Sequence, residues 1–567
     1  MSAGFDRATS LHRLGNERFD VLVVGGGITG CGVALDAAAR GLHTALVTAD
    51  DFASGTSSKS SKLIHGGLRY LAQGEYGLVY EALAERQRLL DNASHLVRPL
   101  PFLVPLFGRG GMASRSVAKA YSVALWSYDL TGGLRIGRRH RRVDAATVQG
   151  HFPDLRSDRL VGGFLYWDAQ ADDARLTLAV ARTAALGHRA VVANHAPVAR
   201  LLEEARSGRV VGAALVDGTE IRANVVVNAA GVWADAVNAL GPAGGLRGRP
   251  GPAGGLRGRP NPSIRPAKGI HLTVTADRLP CSYAAVLPVP GEKRSIFVVP
   301  WVESGFTYVG TTDTDYDGPL DDPRCTPEDV DYLLTAVNAA TTANLERSDI
   351  TGAWAGLRPL ASGAKDARTA DLSRRHRVTT SSAGVVTVTG GKLTTYRRMA
   401  ADTVDEVAGQ LGRRLPRSQT RRLAIWGSEG AAEMGEPGAP RRLGVDAALA
   451  GHLAGRYGGE ARAVAAMLSA DPDLARPLVP GLPYVRAEAV FAARYEMATT
   501  LADVLDRRTR AMILDAAATA RAAPGVAALL ASELGWSPEE AALQAEAVVA
   551  AAEASMASVQ ATHASLR

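Results

Sequence analysis

The sequence predicts an α/β chain: a nucleotide-binding unit of strands and helices, interrupted by an antiparallel sheet and followed by an all-helical C-terminal domain. Three observations carry this. Near the N-terminus, "RFDVLVVGGGITGCGVALDAAARGLHTALVTADD" brings an apolar β-rich run to a glycine turn and a helix-forming run. Farther on, "IHLTV", "RSIFVVPW" and "FTYVGTTDTD" are strand-like and have little helical period. From about Ser418 the composition shifts to alanine, leucine, arginine and glutamate at helical spacing, as in "RAEAVFAARYEMATTLADVLDRRTRAMILDAAATA".

The first unit is the most specific. Val21–Val24 runs into Gly25, Gly27 and Gly30, spaced G-x-G-x-x-G; a helical run to Arg40, Gly41 and a second apolar run, Thr44–Val47, follow. Strand, glycine turn, helix, strand is the order that dinucleotide binding requires. The glycines serve the tight turn, the approach of backbone to a pyrophosphate, and close helix–strand packing, while the helix N-terminus offers N–H groups and positive dipole to phosphate. The second strand of such a unit usually ends in Asp or Glu, which binds ribose. Here Thr48 stands in that place, with Asp50 two residues on, and either could make the contact.

Two more apolar runs end in glycine-containing turns followed by helix: "ANVVVNAAGVWAD" (Ala223–Asp235) and "GVVTVTGGKLTTYRRMA" (Gly384–Ala400). The first domain is therefore expected to be discontinuous. It would span 1–415, with nucleotide-binding parts at about 18–100, 155–240 and 355–410 around an inserted sheet at about 262–354, and a helical domain at 425–555. "GPAGGLRGRP" occurs at 241–250 and again at 251–260; a glycine/proline repeat builds no core and reads as a flexible loop.

Bulk properties set the limits. At 567 residues, with 46% hydrophobic and 21% charged residues, the chain is a folded protein of two or three units. Cys31, Cys281 and Cys325 are widely spaced and form no metal or disulfide pattern, as suits a reducing compartment. The first twenty residues lack an apolar signal region, and no run is long and apolar enough for a transmembrane helix. A net charge of +7 suits a solvated surface, an anionic bilayer or a phosphorylated substrate.

One stretch fits neither a core strand nor an ordinary loop. "SSKSSKLIHGGLRYL", Ser57–Leu71, mixes hydroxyls, lysines, a histidine, glycines and an arginine with five large apolar residues. Together with "YWDAQADDARL", "VVVNAAGVWAD", "RPAKGIHL", "VGTTDTDY", "AGLRPL" and "GGKLTTYRRMA", in that order, it resembles the FAD-dependent glycerol-3-phosphate dehydrogenases over nearly the whole chain. The resemblance implies a Rossmann-like FAD-binding domain with an inserted antiparallel-sheet substrate domain and a C-terminal all-helical domain.

It also implies roles. Ser60, Ser61 and Lys62 would donate hydrogen bonds to FAD, while His65, Gly66 and Gly67 bring backbone close to the flavin; His65 alternatively satisfies a backbone carbonyl. The turns at Ala230–Gly231 and at Gly391, Lys392, Leu393 and Thr394 would also touch the cofactor. The helix starting near Leu393 would direct its dipole at the end of the flavin that gains negative charge on reduction. Arg69, Arg358, Arg374 (with Arg375 as its neighbour and alternative) and Lys392 match basic positions that bind the substrate phosphate, for which a guanidinium fork is suited. His271 in "KGIHL" is the candidate base, alternatively a packed histidine, with Arg358 as the group that lowers the hydroxyl pKa instead.

The implied reaction is oxidation of sn-glycerol 3-phosphate to dihydroxyacetone phosphate, with electrons passed to a quinone. The implied setting is cytoplasmic, peripherally attached to the inner face of the cell membrane, as a homodimer, without nucleic acid and without a metal. The alternatives are an oxidase using oxygen, an FAD-dependent 2-hydroxy acid or amino acid oxidoreductase, and a non-catalytic flavin-binding scaffold.

Overall fold

The computed structural model describes residues 5–68, 70, 74–108, 115–241, 264–292, 294–301, 304–361 and 376–561. Its first sheet has a parallel core in the order Val386–Thr389, Glu220–Asn228, Arg18–Val24, Thr44–Val47, Val191–Ala193. Strands covered on both faces must be apolar on both, which explains the unbroken "VLVV" and "TALV" runs. The helix Ile28–Ala39 lies on this sheet and is buried on nearly every side, because small residues line it. At Gly32 the ring of Tyr396, which opens the helix Tyr396–Leu411, comes so close that a Cβ would meet it at 2.7 Å.

The second sheet runs Thr314–Asp315, Ile264–Thr275, Phe306–Gly310, Ser295–Trp301, Ala284–Pro288, Val97–Phe107, Leu160–Ala171, Leu63–Ile64. The strand Ile350–Ala361 pairs antiparallel with Ile264–Thr275, from Ile264 opposite Ala361 to Val274 opposite Ile350. This corrects the expected partition. The substrate-side sheet is not confined to 262–354, since Leu63–Ile64, part of Val97–Phe107 and Leu160–Ala171 fall in stretches assigned to the nucleotide-binding part. They pair with one another, and Val97–Phe107 then pairs parallel with Ala284–Pro288, joining the two halves of one sheet.

The C-terminal region is helical from Ala431 to Gln560. Its longest pair, Ala516–Leu534 and Pro538–Gln560, is a helical hairpin whose turn is written in the sequence. Gly535 closes the first helix at φ +70°; Ser537 and Glu540 form a capping box, and Pro538 takes the first position of the second helix. Among the described residues no helix is long and apolar enough to cross a membrane. The duplicated loop at 241–260 lies outside the described residues apart from Gly241.

Candidate active site

The glycine turn is shaped for a ligand that touches backbone. Gly25 sits at φ +119°, and a Cβ there would meet the Ala229 carbonyl oxygen at 2.6 Å; one at Gly30 would run into the Gly25 carbonyl. The helix beginning at Ile28 has no side-chain cap from Gly27, and Ser57 Oγ accepts its first N–H at 2.9 Å. Thr48 is buried with its side chain over Gly26, whereas Asp50 is exposed and accepts from His195 N–H through its carbonyl. Across the turn, Gly231 adopts φ +59°, and Ala230 N–H donates to Asn228 Oδ1 at 3.2 Å. A Cβ-free cradle at the end of the parallel strands is what a dinucleotide pyrophosphate requires, so the residues present fit the group.

The odd segment Ser57–Gly67 lies on the second sheet. Across four strands the register aligns Phe297, Gly310, His271 and Trp354 in one row, and residues opposite one another share a face. Gly310 leaves the room that the His271 ring fills. His271 is 3% exposed and stacks on Trp354 at 4.7 Å and 9°. Its Nε2 lies 2.8 Å from Ser61 Oγ, while its Nδ1 has no hydrogen-bond partner among the described residues. Burial, and then the positive charges of Lys62 and Arg358, hold its pKa well below the ordinary 6.5, so the ring is neutral. On the same face, Arg358 lies across Gly269 and donates to Asp313 Oδ1 at 3.1 Å, to Thr311 Oγ1, and to the Lys268 and Thr312 carbonyls.

Two expected donors turn inward. Ser60 gives both its N–H and its hydroxyl to Asp173 Oδ2, at 3.0 and 2.7 Å. Lys62, at φ +56°, is 1% exposed and pairs with Asp173 Oδ1 at 3.2 Å, its ammonium 4.5 Å from the centre of the Trp354 ring. Burial lowers its pKa to about 8. Expected as donors to FAD, Ser60 and Lys62 here have Asp173 as their partner, because an unpaired buried ammonium or carboxylate is costly.

The close-approach residues are fixed from other directions. Gly66 N–H donates to the Tyr128 hydroxyl at 3.0 Å, and Tyr128 in turn donates to Asp168, whose carboxylate pairs with Arg86 at 2.6 Å. His65 is tied through its backbone N–H to Thr394 Oγ1 at 3.2 Å, and its ring sits edge-on to Phe297. Gly67 adopts φ +82° beside the Tyr70 ring, over which Lys392 Nζ stands at 3.8 Å. Gly391 adopts φ +82° against Met399, and a 3₁₀ turn at Leu393–Thr395 leads into Tyr396–Leu411, so the expected helix start is present.

The structure thus brings Ser61, His271 and Arg358 to one face and His65, Gly67, Lys392 and Thr394 to another cluster joined to it by Phe297. Arg69 and Arg374 lie outside the described residues. Sequence reasoning missed Asp173, Asp168, Tyr128 and Trp354. "YWDAQADDARL" held a signal for one part of this. Two aspartates ahead of a helical run read as a cap, and Asp172 accepts from Ala174 and Arg175 N–H.

The parallel sheet and its glycine cradle define a dinucleotide-binding protein. The family of FAD-dependent oxidoreductases matches residues 20–397, and the C-terminal domain of alpha-glycerophosphate oxidase matches 418–541. Glycerol-3-phosphate dehydrogenase 2 of Mycobacterium bovis is 42% identical over 541 residues, covering 94% of this chain and 87% of the relative. The mitochondrial glycerol-3-phosphate dehydrogenase of Mus musculus is 37% identical, covering 92% and 71%. A crystal structure of the glycerol-3-phosphate dehydrogenase of Bacillus halodurans complexed with FAD superposes with a TM-score of 0.74 at 29% identity, covering 97% of both chains. The chain belongs to the FAD-dependent oxidoreductases and, within them, to the glycerol-3-phosphate dehydrogenases, with FAD as its cofactor.

Proposed function

We propose that the chain oxidises sn-glycerol 3-phosphate to dihydroxyacetone phosphate and delivers the electrons to a quinone at a membrane surface. The observation that carries the chemistry is the neutral, buried His271 beside Arg358 on the face that meets the Ser57–Gly67 segment. FAD, when bound, would supply the acceptor for the hydride that leaves C2. The protein's own residues do the rest. Arg69, Arg358, Arg374 and Lys392 neutralise and orient the phosphate. With its proton on Nε2 toward Ser61, His271 keeps a lone pair on Nδ1 for the 2-hydroxyl proton. The glycine cradle and the turns at Ala230–Gly231 and Gly391–Thr394 hold the cofactor. Anaerobic mixing of holoenzyme with glycerol 3-phosphate should bleach the flavin absorbance; an unchanged spectrum refutes the substrate. Reoxidation by a quinone analogue should then outrun reoxidation by oxygen.

The membrane half of the reading is supported by one surface. On the helix Arg115–Thr131, Val123, Trp126 and Leu130 form a stripe at helical spacing, 61%, 47% and 76% exposed, while Leu125 and Tyr128 anchor its other side in the core. Exposed Leu134, Tyr76 and Tyr80 lie on elements packed against this helix, with Arg135 stacked on Tyr80 at 4.6 Å. Exposed Arg138, Arg139, Arg141 and Arg142 follow in sequence. An apolar stripe beside basic residues suits an anionic bilayer interface. Trp126→Asp with Leu130→Asp should abolish cosedimentation with anionic vesicles and leave turnover with a soluble acceptor intact. Undiminished vesicle binding would refute this surface.

A further inference from the structure

The C-terminal helical region reaches the segment that faces the candidate base through Arg510, among other residues. Arg510 is 1% exposed and stands at φ +70°, a left-handed conformation that a non-glycine residue adopts at a cost. It precedes the short helix Ala511–Leu514, and its Nη1 donates to the Asp506 carbonyl at 2.7 Å. Its Nη2 donates to the Ser58 carbonyl, the acceptor that Lys62 Nζ also uses at 3.1 Å. The same guanidinium lies 3.5 Å from Asp173 and 3.6 Å from Asp172.

Three carbonyls of the segment are each gripped by a side chain from a different part of the chain. Arg510 takes Ser58; the Trp354 indole N–H takes Ser60 at 3.2 Å; the Tyr308 hydroxyl takes Ser61 at 2.9 Å. Trp354 and Tyr308 belong to the second sheet, whereas Arg510 belongs to the region matched as the C-terminal domain. Asp173 joins the grips, because it accepts from Ser60 and Lys62 and lies beside Arg510. Ser61, set by these contacts, is what faces His271 Nε2.

We propose that Arg510 is a positioning residue through which the C-terminal helical region fixes Ser58–Lys62, and thereby the Ser61–His271 pair. The proposal rests on the reading of His271 as the base. It gives the helical region a part in turnover without placing any of its residues on substrate.

Arg510→Met and Arg510→Lys holoenzymes test this. Arg510→Met should keep its flavin and a KM within about 3-fold of the unaltered enzyme, while kcat falls about 10- to 100-fold, the cost of a small misplacement of reacting groups. The acid limb of kcat/KM should move upward in pH, because a loosened segment admits water to the histidine ring. Arg510→Lys, or guanidinium added to Arg510→Met, should recover part of the rate. Amide hydrogen exchange over residues 57–62 should quicken in the Met variant and slow again in the Lys variant. Unchanged kcat and exchange in both variants would overturn the proposal, as would equal losses in both accompanied by loss of flavin. If the unaltered holoenzyme fails to oxidise glycerol 3-phosphate, the functional reading fails, and the exchange pattern alone decides whether Arg510 holds the segment.

Discussion

The glycine turn at Gly25–Gly30 and the segment Ser57–Gly67 lie about thirty residues apart in the chain, and opposite means hold them. The turn is made chiefly by backbone: φ +119° at Gly25, a missing Cβ at Gly30, and the neighbouring turn at Ala229–Ala230, with Ser57 Oγ accepting the Ile28 N–H. The segment depends on side chains scattered along the chain, Tyr128, Asp173, His271, Tyr308, Trp354 and Arg510. A site made of backbone tolerates changes around it but none within it. A site made of distant side chains can be weakened one contact at a time.

The sharpest break is expected within the turn. Gly30→Val puts a branched side chain where even a Cβ would run into the Gly25 carbonyl. The turn must open, and the protein should purify colourless, without FAD, as read from its absorbance spectrum. Flavin retained at full occupancy would show that the turn is more pliable than its geometry indicates.

The next effect belongs to the segment's floor. His271→Gln should lower kcat/KM by about 10²- to 10⁴-fold, the usual contribution of a positioned base. The pH profile discriminates further. Because burial and the charges of Lys62 and Arg358 depress the His271 pKa, the ring protonates only well below 6.5, and the acid limb of the unaltered enzyme should lie below that value. As pH falls, the base is lost only there. Lys62→Met removes one of the opposing charges and should move the limb up toward 6.5; a limb that persists unchanged in His271→Gln assigns the base elsewhere.

Most of what the sequence made legible was the local part of this contrast. G-x-G-x-x-G, the Thr44–Val47 strand and the "GGKLTTY" turn are all written within a few residues, so spacing alone exposes them. Lys62 shows why the remainder was hidden. Within "SSKSSKL" a lysine reads as a donor to a ligand, and only the fold reveals Asp173, more than a hundred residues away, as its buried partner. The strands Val97–Phe107 and Leu160–Ala171 were hidden for a similar reason, since an apolar run does not announce which sheet it joins.

Asp173→Leu sharpens the comparison by testing stability instead of chemistry. It leaves Lys62 buried without its carboxylate, and breaking one partner of a buried pair costs about 3–5 kcal/mol. The loss should appear in denaturant melts of the holoenzyme, and Lys62→Met added to Asp173→Leu should recover much of it by removing the orphaned charge. A double variant no more stable than the single would mean that Ser60, which gives Asp173 two hydrogen bonds, matters more than the ion pair.

The smallest expected effect returns to the cradle, where a side chain stands beside the backbone. Thr48 is buried over Gly26, while Asp50 is exposed and contributes only its carbonyl to the fold. Thr48→Val keeps the shape and removes one hydroxyl, so FAD affinity should fall by about 1 kcal/mol, roughly fivefold. Asp50→Asn should leave it unchanged. The reverse ordering in a flavin titration would put the ribose contact on Asp50 and would mean that the end of the second strand, unlike the glycine turn beside it, is remodelled when the cofactor enters.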